Sequence, residues 1–246
     1  MRVVIVTGAS SGIGRATVTR IGRAGTTVVL AARRADELEK VAGEIRAQGG
    51  DALVVPTDVR DPAAITALTS AAIEVTGRID GLVNNAGIGG PSSILADDEV
   101  VAGMIEVNLM APIRLMRAVV PIMTEQGSGA IVNIGSVAGE IGLGGTYSAT
   151  KFALRGMSDS VRRELIGTGI GVTLVEPGFI ATDLTKRRRG LPGPEIVAAA
   201  VERALQRPRR RIVVPFKYRP AITLANTLPA LTDRLYAGRA ASRRES

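Results

Sequence analysis

Seven short apolar runs rich in β-branched residues recur along the chain with helical patterns between them, and this alternation limits the fold more than any other feature. The runs fall at 2–6, 27–32, 52–55, 82–83, 130–134, 172–175 and 211–214. A run that is apolar at consecutive positions suits a strand buried on both faces, as in a parallel sheet. Helical periodicity covers 13–23, 36–48, 62–76, 98–124, 146–166 and 194–206, and several of these segments open on caps or early acids such as Asp36-Glu37, Asp61-Pro62 and Asp97-Asp98-Glu99. Strands alternating with helices predict an α/β fold, a doubly wound parallel sheet of about seven strands flanked by helices on both faces. The 246 residues suffice for one large domain, with no internal repeat and no interdomain linker. The least regular stretch, 178–194, reads as a loop or lid.

Two absences narrow the chemistry. The chain has no cysteine and no histidine. Disulfides, thiolate nucleophiles, Ser-His-Asp hydrolysis and the usual zinc sites are therefore excluded, and no metal site is expected. Proton transfer is left to Asp, Glu, Lys and Tyr. Against that background the segment YSATK (147–151) stands out, because Tyr147 and Lys151 are four apart and share one face of a helix.

The first strand runs into TGASSGIGRA (7–16), with Gly8, Gly12 and Gly14 spaced G-x-x-x-G-x-G between strand and helix. Glycine permits the tight turn and the close approach of a ligand, and the helix N-terminus beyond favours an anion. A dinucleotide pyrophosphate fits there. The second strand ends in Arg33 and Arg34, at the place where NAD-binding sheets carry an acid for the ribose 2′-hydroxyl. A guanidinium there suits a 2′-phosphate, so NADP(H) is the expected cofactor.

With these residues in place, the chain resembles the short-chain dehydrogenase/reductase family from Val3 to about Thr185. The resemblance rests on TGASSGIG (7–14), TDV (57–59), NNAG (84–87), VNLMAP (107–112), NIGSVAG (133–139), YSATK (147–151) and EPGFIATDL (176–184), in that order. It implies a Rossmann-type fold. The cofactor set it implies comprises Gly8, Ser10, Ser11, Gly12, Ile13 and Gly14 in the turn, Arg33, Arg34, Asp58 and Val59 around the adenosine, and Asn85, Ala86 and Gly87 after the fourth strand. Tyr147, Lys151, Pro177, Gly178, Ile180 and Thr182 complete it. The implied catalytic set is Asn108, Ser136, Tyr147 and Lys151.

Hydride transfer to a carbonyl leaves an alkoxide that needs a proton, and the reverse reaction needs a base. An unperturbed tyrosine titrates at about 10. A neighbouring Lys151 ammonium and an oxidised nicotinamide both favour the phenolate and lower that value. Tyr147 is then the acid in reduction and the base in oxidation, and Ser136 would hydrogen-bond the carbonyl oxygen where negative charge develops. By resemblance, Lys151 also binds the cofactor ribose and Asn108 holds a water linking the lysine to solvent. Ser136 and Tyr147 are eleven residues apart, an interval shorter than the family's usual one, which bears on the rim of the substrate pocket.

The net charge of +8 is unevenly placed. Residues 1–185 carry 16 Lys and Arg against 19 Asp and Glu, whereas residues 186–246 carry 15 against 4. No aromatic-rich basic stripe accompanies the tail, so nucleic acid is not an expected partner. The chain opens on a strand-like run without a leader pattern and has no apolar run of 18 residues, so a cytoplasmic protein without a spanning helix is expected. We divide it into a catalytic domain, 1–215, and a basic amphipathic extension, 216–246. In the extension Ile222, Ala225, Leu228, Leu231 and Leu235 trace a helical stripe that Pro229 would kink. It suits a core or subunit cover in a homodimer or homotetramer, or a peripheral anchor on an anionic inner membrane face, in which case a lipophilic substrate follows. Arg187, Arg188 and Arg189 would also suit a phosphate-bearing substrate such as an acyl thioester of coenzyme A. The rival functions are a non-catalytic dinucleotide sensor, an NAD-dependent alcohol dehydrogenase, and a sugar epimerase or dehydratase. The last would need a larger C-terminal region.

Overall fold

The computed structural model describes residues 2–234 except 24, 92, 143, 186–188 and 231. Its strands are β1 (Arg2–Thr7), β2 (Thr26–Ala32), β3 (Asp51–Pro56), β4 (Gly81–Asn84), β5 (Gly129–Ile134), β6 (Ile170–Pro177) and β7 (Arg211–Val214). They form one seven-stranded sheet in the order β3-β2-β1-β4-β5-β6-β7, with every neighbouring pair parallel. The predicted α/β sheet and its strand count hold.

Strand alternation sorts the core into two layers. Val4, Val6, Val28, Leu30, Val83 and Val132 face α1 (Gly12–Ile21), α2 (Ala35–Ala47) and α7 (Glu195–Gln206). Val3, Ile5, Val29, Leu82, Ile131 and Val172 face α3 (Pro62–Thr76), α5 (Ala111–Glu125) and α6 (Thr146–Glu164). Both faces are covered, which is why the strands read as unbroken apolar runs. The strand order turns back between β1 and β4. In such sheets a ligand crevice opens there, outside the C-terminal strand ends. The sequence elements with chemistry, 7–14, 84–87, 136 and 177–182, all follow those ends.

Local chemistry sets the helix boundaries. The Asp61 carboxylate accepts the Ala63 N–H at 2.8 Å and Pro62 occupies the first turn of α3, which ends at Gly77 with φ of 76°. The predicted helix 98–124 is interrupted: α4 (Asp98–Ile105) passes through one π-helical turn, Glu106–Met110, before α5 begins. Pro112 supplies the cause, because it has no N–H to give the Asn108 carbonyl, and the Ala111 N–H bonds instead to Glu106 O, five residues back. The run Asp98–Glu125 has the length and composition to cross a membrane. Here Leu115, Met116, Val119 and Met123 bury its inner face against the sheet.

Within the extension, Tyr218 docks onto the body. The Gly178 N–H bonds to Val214 O at 2.7 Å. A Cβ at Gly178 would lie 2.1 Å from the Tyr218 ring, so only glycine lets that ring approach. Phe179 meets Tyr218 edge-on at 6.5 Å. In α8 (Arg219–Thr227), Ile222 is buried, whereas Leu224 and, just past the helix, Leu228 are exposed. Leu228 leaves helical geometry, so Pro229 follows a helix end rather than a kink. Leu231 and Leu235, like Arg187 and Arg188, lie outside the described residues.

Candidate active site

The glycine turn adopts the conformation its sequence allows. Gly8 and Gly12 have φ of 66° and 53°, in the left-handed region that residues with a Cβ avoid. A Cβ at Gly14 would sit 2.1 Å from the Gly8 carbonyl oxygen, and one at Gly8 would sit 2.8 Å from Asn85 Nδ2. Thr7 and Asn85 lash this turn to the end of β4. The Thr7 hydroxyl accepts the Asn85 and Ala86 N–H groups, each at 3.0 Å, and the Asn85 amide donates to Thr7 O at 2.8 Å. Thr7 was not singled out from the sequence, although it opens the motif. The turn, the NNAG segment and the start of α1 therefore form one rigid cradle, with Ser11 as the α1 N-cap and Ile13 packed against the core.

At the β2 end, Arg34 Nη2 donates to Ser10 Oγ at 3.0 Å, closing the rim of the cradle. Arg33 is exposed beside it. Asp58 faces the same rim, but Arg60 holds its carboxylate through Nε bonds of 3.0 and 3.1 Å, which keep the carboxyl at about 2, well below the ordinary range. Val59 and Ile180 are buried among core side chains, so only their backbones can face a ligand. On the far side Thr182 reaches the turn, its methyl 3.3 Å from where a Gly12 Cβ would be. Pro177 is buried and Gly178 is wedged under Tyr218.

Ser136, Tyr147 and Lys151, the residues expected to move the proton, gather at the N-terminus of α6. Gly139 lets the turn after β5 pack directly on α6, since a Cβ there would lie 2.8 Å from the Lys151 carbonyl. This close approach lets the short interval deliver the serine to the neighbourhood of the Tyr147 phenol, where its hydroxyl favours the phenolate. Ser136 Oγ also accepts the Ala138 N–H at 3.1 Å. Burial pushes the Tyr147 phenol above its ordinary value, and the Ser136 hydroxyl pulls the other way. The lowering expected from Lys151 is not what dominates in the protein alone: Nζ lies 5.8 Å from the ring centroid and donates to Ile134 O at 2.9 Å. Burial brings Lys151 itself down to about 8.

Asn108, fully buried in the π-turn, accepts the Ile88 N–H and donates to Ile88 O, each at 2.9 Å, and its amide reaches Thr150 Oγ at 3.2 Å. It thereby joins the loop after β4 to α6. A Cβ on Gly87 would lie 3.3 Å from Asn108 Oδ1 and 3.7 Å from Lys151 Nζ. The NNAG loop, Asn108 and Lys151 thus share one wall. Below it runs a buried polar ladder, Asn84 to Asn133 at 2.8 Å and Asn133 to Ser158 at 2.9 Å, which sequence reasoning missed because its members are 49 and 25 residues apart.

The donor set suits a nicotinamide dinucleotide. The glycine cradle leaves room where Cβ atoms would stand and presents a helix N-terminus to phosphate. Lys151 offers a buried cation, and the Ser10 and Arg34 rim offers a hydroxyl and a guanidinium for the adenosine ribose.

Residues 2–190 match the short chain dehydrogenase family model. The ketoacyl reductase HetN of Nostoc sp. is 35% identical over 225 residues, covering 87% of this chain and 78% of that protein. A short chain dehydrogenase/reductase from Burkholderia phymatum, solved with NAD, superposes with a TM-score of 0.88 at 27% identity, covering 94% of this chain and 95% of that one. An actinorhodin polyketide ketoreductase solved with NADPH superposes with a TM-score of 0.80 at 30% identity, covering 87% and 95%.

Proposed function

The chain belongs to the short-chain dehydrogenase family, and from that premise we propose that it is an NADP(H)-dependent oxidoreductase moving hydride between nicotinamide and a carbonyl/alcohol substrate, with Tyr147 as acid and base. The observation that carries this reading is the buried Lys151 ammonium 5.8 Å from the Tyr147 ring centroid, with the Ser136 hydroxyl near the same phenol. The bound cofactor would supply the hydride. The cradle of Gly8, Gly12 and Gly14 would hold its pyrophosphate, Lys151 its ribose, and Ser10, Arg33 and Arg34 its 2′-phosphate. Ser136 holds the substrate oxygen, and Tyr147 delivers its phenolic proton to that oxygen in reduction and takes it back in oxidation. Asn108 ties α6 to the Ile88 loop and keeps Lys151 and Tyr147 in register with the cradle. A dinucleotide sensor would need the cradle but not two hydroxyls set beside a buried ammonium. An NADPH-oxidation screen across ketones, aldehydes and acyl thioesters tests the proposal, and inactivity toward every carbonyl class, with NADPH bound, would favour the sensor.

Arg33→Ala is expected to weaken NADPH by about 10- to 150-fold while leaving NADH nearly unchanged, because a charge-assisted contact contributes about 1.5–3 kcal/mol and its partner exists only on NADPH. Fluorescence titration with both cofactors measures it. Equal losses would assign the selectivity to Ser10 and Arg34.

The Lys151 ammonium gives a pH dependence of definite sign. Burial lowers it to about 8, so it is cationic below that pH and neutral above. The NADPH dissociation constant of the free enzyme is expected to be flat below pH 8 and to rise above it. Lys151→Met should bind more weakly throughout and show no inflection there. A Lys151→Met profile that keeps the inflection would assign it to another group.

The tail proposal is peripheral contact with anionic lipid from the cytoplasmic side. Arg219 lies over Phe216, and exposed Leu224 and Leu228 follow on the same segment. Each Lys or Arg near such a surface contributes about 1 kcal/mol. The protein is expected to co-sediment with anionic vesicles at low salt, and Leu224→Ser with Leu228→Ser should weaken that binding. If vesicles are ignored and the double variant changes the sedimentation coefficient instead, the apolar face belongs to a subunit contact.

A further inference from the structure

The proposed chemistry leaves one buried polar cluster unused. Glu140 lies on the short loop between Ser136 and Tyr147, and Glu176 is the β6 residue just before Pro177 and Gly178. Each side chain is 1% exposed. Arg211 of β7 spans them: Nη2 lies 2.7 Å from Glu140 Oε2, and Nε bonds to Glu176 Oε2. Arg155, two turns beyond Tyr147 on α6, places Nη1 2.9 Å from Glu140 Oε1. Removing two carboxyls from water is unfavourable even when paired, and apolar residues of similar volume would serve stability as well. A role in geometry is the better account.

That geometry is specific. Gly139 N–H bonds to Ser136 O at 2.9 Å and Glu140 N–H to Val137 O at 3.1 Å, so residues 136–140 move as one piece. The Glu176 side chain packs against Gly135, its Cγ 3.3 Å from where a Cβ would stand, and Gly135 N–H bonds to Val175 O at 2.7 Å. Burial pushes Glu176 up to about 8, although Arg211 pulls it down, and the neighbouring Glu140 adds to the rise, so Glu176 is chiefly the neutral carboxyl at neutral pH.

We infer that Glu140, Glu176 and Arg211 are positioning residues for the carbonyl chemistry proposed above: a carboxyl pair bridged by one guanidinium that locks the Ser136 loop to the Pro177-Gly178 turn and, through Arg155, to the helix carrying Tyr147. The network takes over the task of holding Ser136 against the phenol that a longer loop would otherwise share.

The test uses Glu140→Gln, Glu176→Gln and Arg155→Ala in the full chain, with two readouts. Steady-state NADPH oxidation with NADPH titration gives kcat and cofactor affinity. NMR of protein labelled at tyrosine Cζ, assigned with Tyr147→Phe, reports the phenol environment without any turnover. Glu140→Gln is expected to lower kcat by about 10- to 100-fold, the scale of a 1 Å misplacement, with NADPH affinity nearly unchanged. Its Tyr147 resonance should move as it does in Ser136→Ala. Glu176→Gln keeps the neutral, hydrogen-bonding form and should retain both kcat and resonance. If Glu140→Gln does not fold, Arg155→Ala, which removes only the partly exposed partner, is expected to show the same pattern more weakly. A folded Glu140→Gln or Arg155→Ala with an unmoved Tyr147 resonance overturns the inference, as does a Glu176→Gln loss equal to that of Glu140→Gln. If the parent reduces no carbonyl, the functional reading fails, and the resonance still decides whether the cluster positions the phenol.

Discussion

Tyr147→Phe is expected to lower turnover by about 10²- to 10⁴-fold, the range assigned to a positioned acid or base, while NADPH affinity stays within a few-fold of the parent. The substitution removes one oxygen and leaves the ring that packs beside Lys151. Nothing in the glycine cradle, in Arg33, or in the Lys151 bond to Ile134 O depends on that oxygen. The proton then has no donor at the substrate oxygen, and water cannot replace it at the same distance and orientation. The sign of the pH dependence follows. Burial holds the phenol above its ordinary value, so it stays protonated through neutral pH and carbonyl reduction should be insensitive to phenol ionisation there. Alcohol oxidation needs the phenolate and should accelerate toward alkaline pH, aided when oxidised nicotinamide sits beside the ring. Kinetics in both directions, with fluorescence titration of NADPH, measure these effects. Residual turnover above a few per cent of the parent would remove Tyr147 from the acid-base role.

The fold was legible because its information is local. Each strand that is covered on both faces must be apolar at successive positions, and Asp61, Pro62 and Gly77 mark the bounds of α3 in the sequence. The cradle was legible too, since Gly8, Gly12 and Gly14 meet a local steric requirement within seven residues. The π-turn at Asn108 was not, because apolar periodicity runs smoothly through 98–124 while the break concerns one hydrogen bond. The signal for it was Pro112, four residues after Asn108. The Asp58–Arg60 fork was likewise readable as neighbouring opposite charges. The Glu140–Arg211–Glu176 cluster was not readable, because Arg211 stands 35 residues beyond Glu176 and only strand order brings them together. The tail divides the same way. A helical stripe could be read, yet which of its members face the body depends on Tyr218 docking against Gly178, a contact across 40 residues.

Gly14→Ala is expected to abolish measurable cofactor binding, with a loss of more than about 100-fold, or roughly 3 kcal/mol at the scale of overpacking a rigid site. The added methyl would lie 2.1 Å from the Gly8 carbonyl oxygen, 2.7 Å from its carbonyl carbon and 2.6 Å from Asn85 Nδ2. Two of those atoms are backbone, so no rotamer change relieves the contact. Gly8 is already committed to φ of 66°, and Thr7 and Asn85 anchor it to β4, so the turn can yield only by pulling those hydrogen bonds apart. What is lost is the line of N–H groups that would meet the pyrophosphate, and turnover falls with it. Gly43→Ala supplies the contrast. Gly43 lies on the exposed side of α2 with nothing within 4 Å of its Cβ position. There the same methyl is expected to stabilise the protein by about 0.5–1 kcal/mol through helix propensity, raising Tm by about 1–4 °C with NADPH affinity unchanged. Fluorescence titration and thermal melts of both variants separate a steric requirement of the cradle from a general intolerance of alanine. If Gly14→Ala binds NADPH as the parent does, the turn is not the pyrophosphate site.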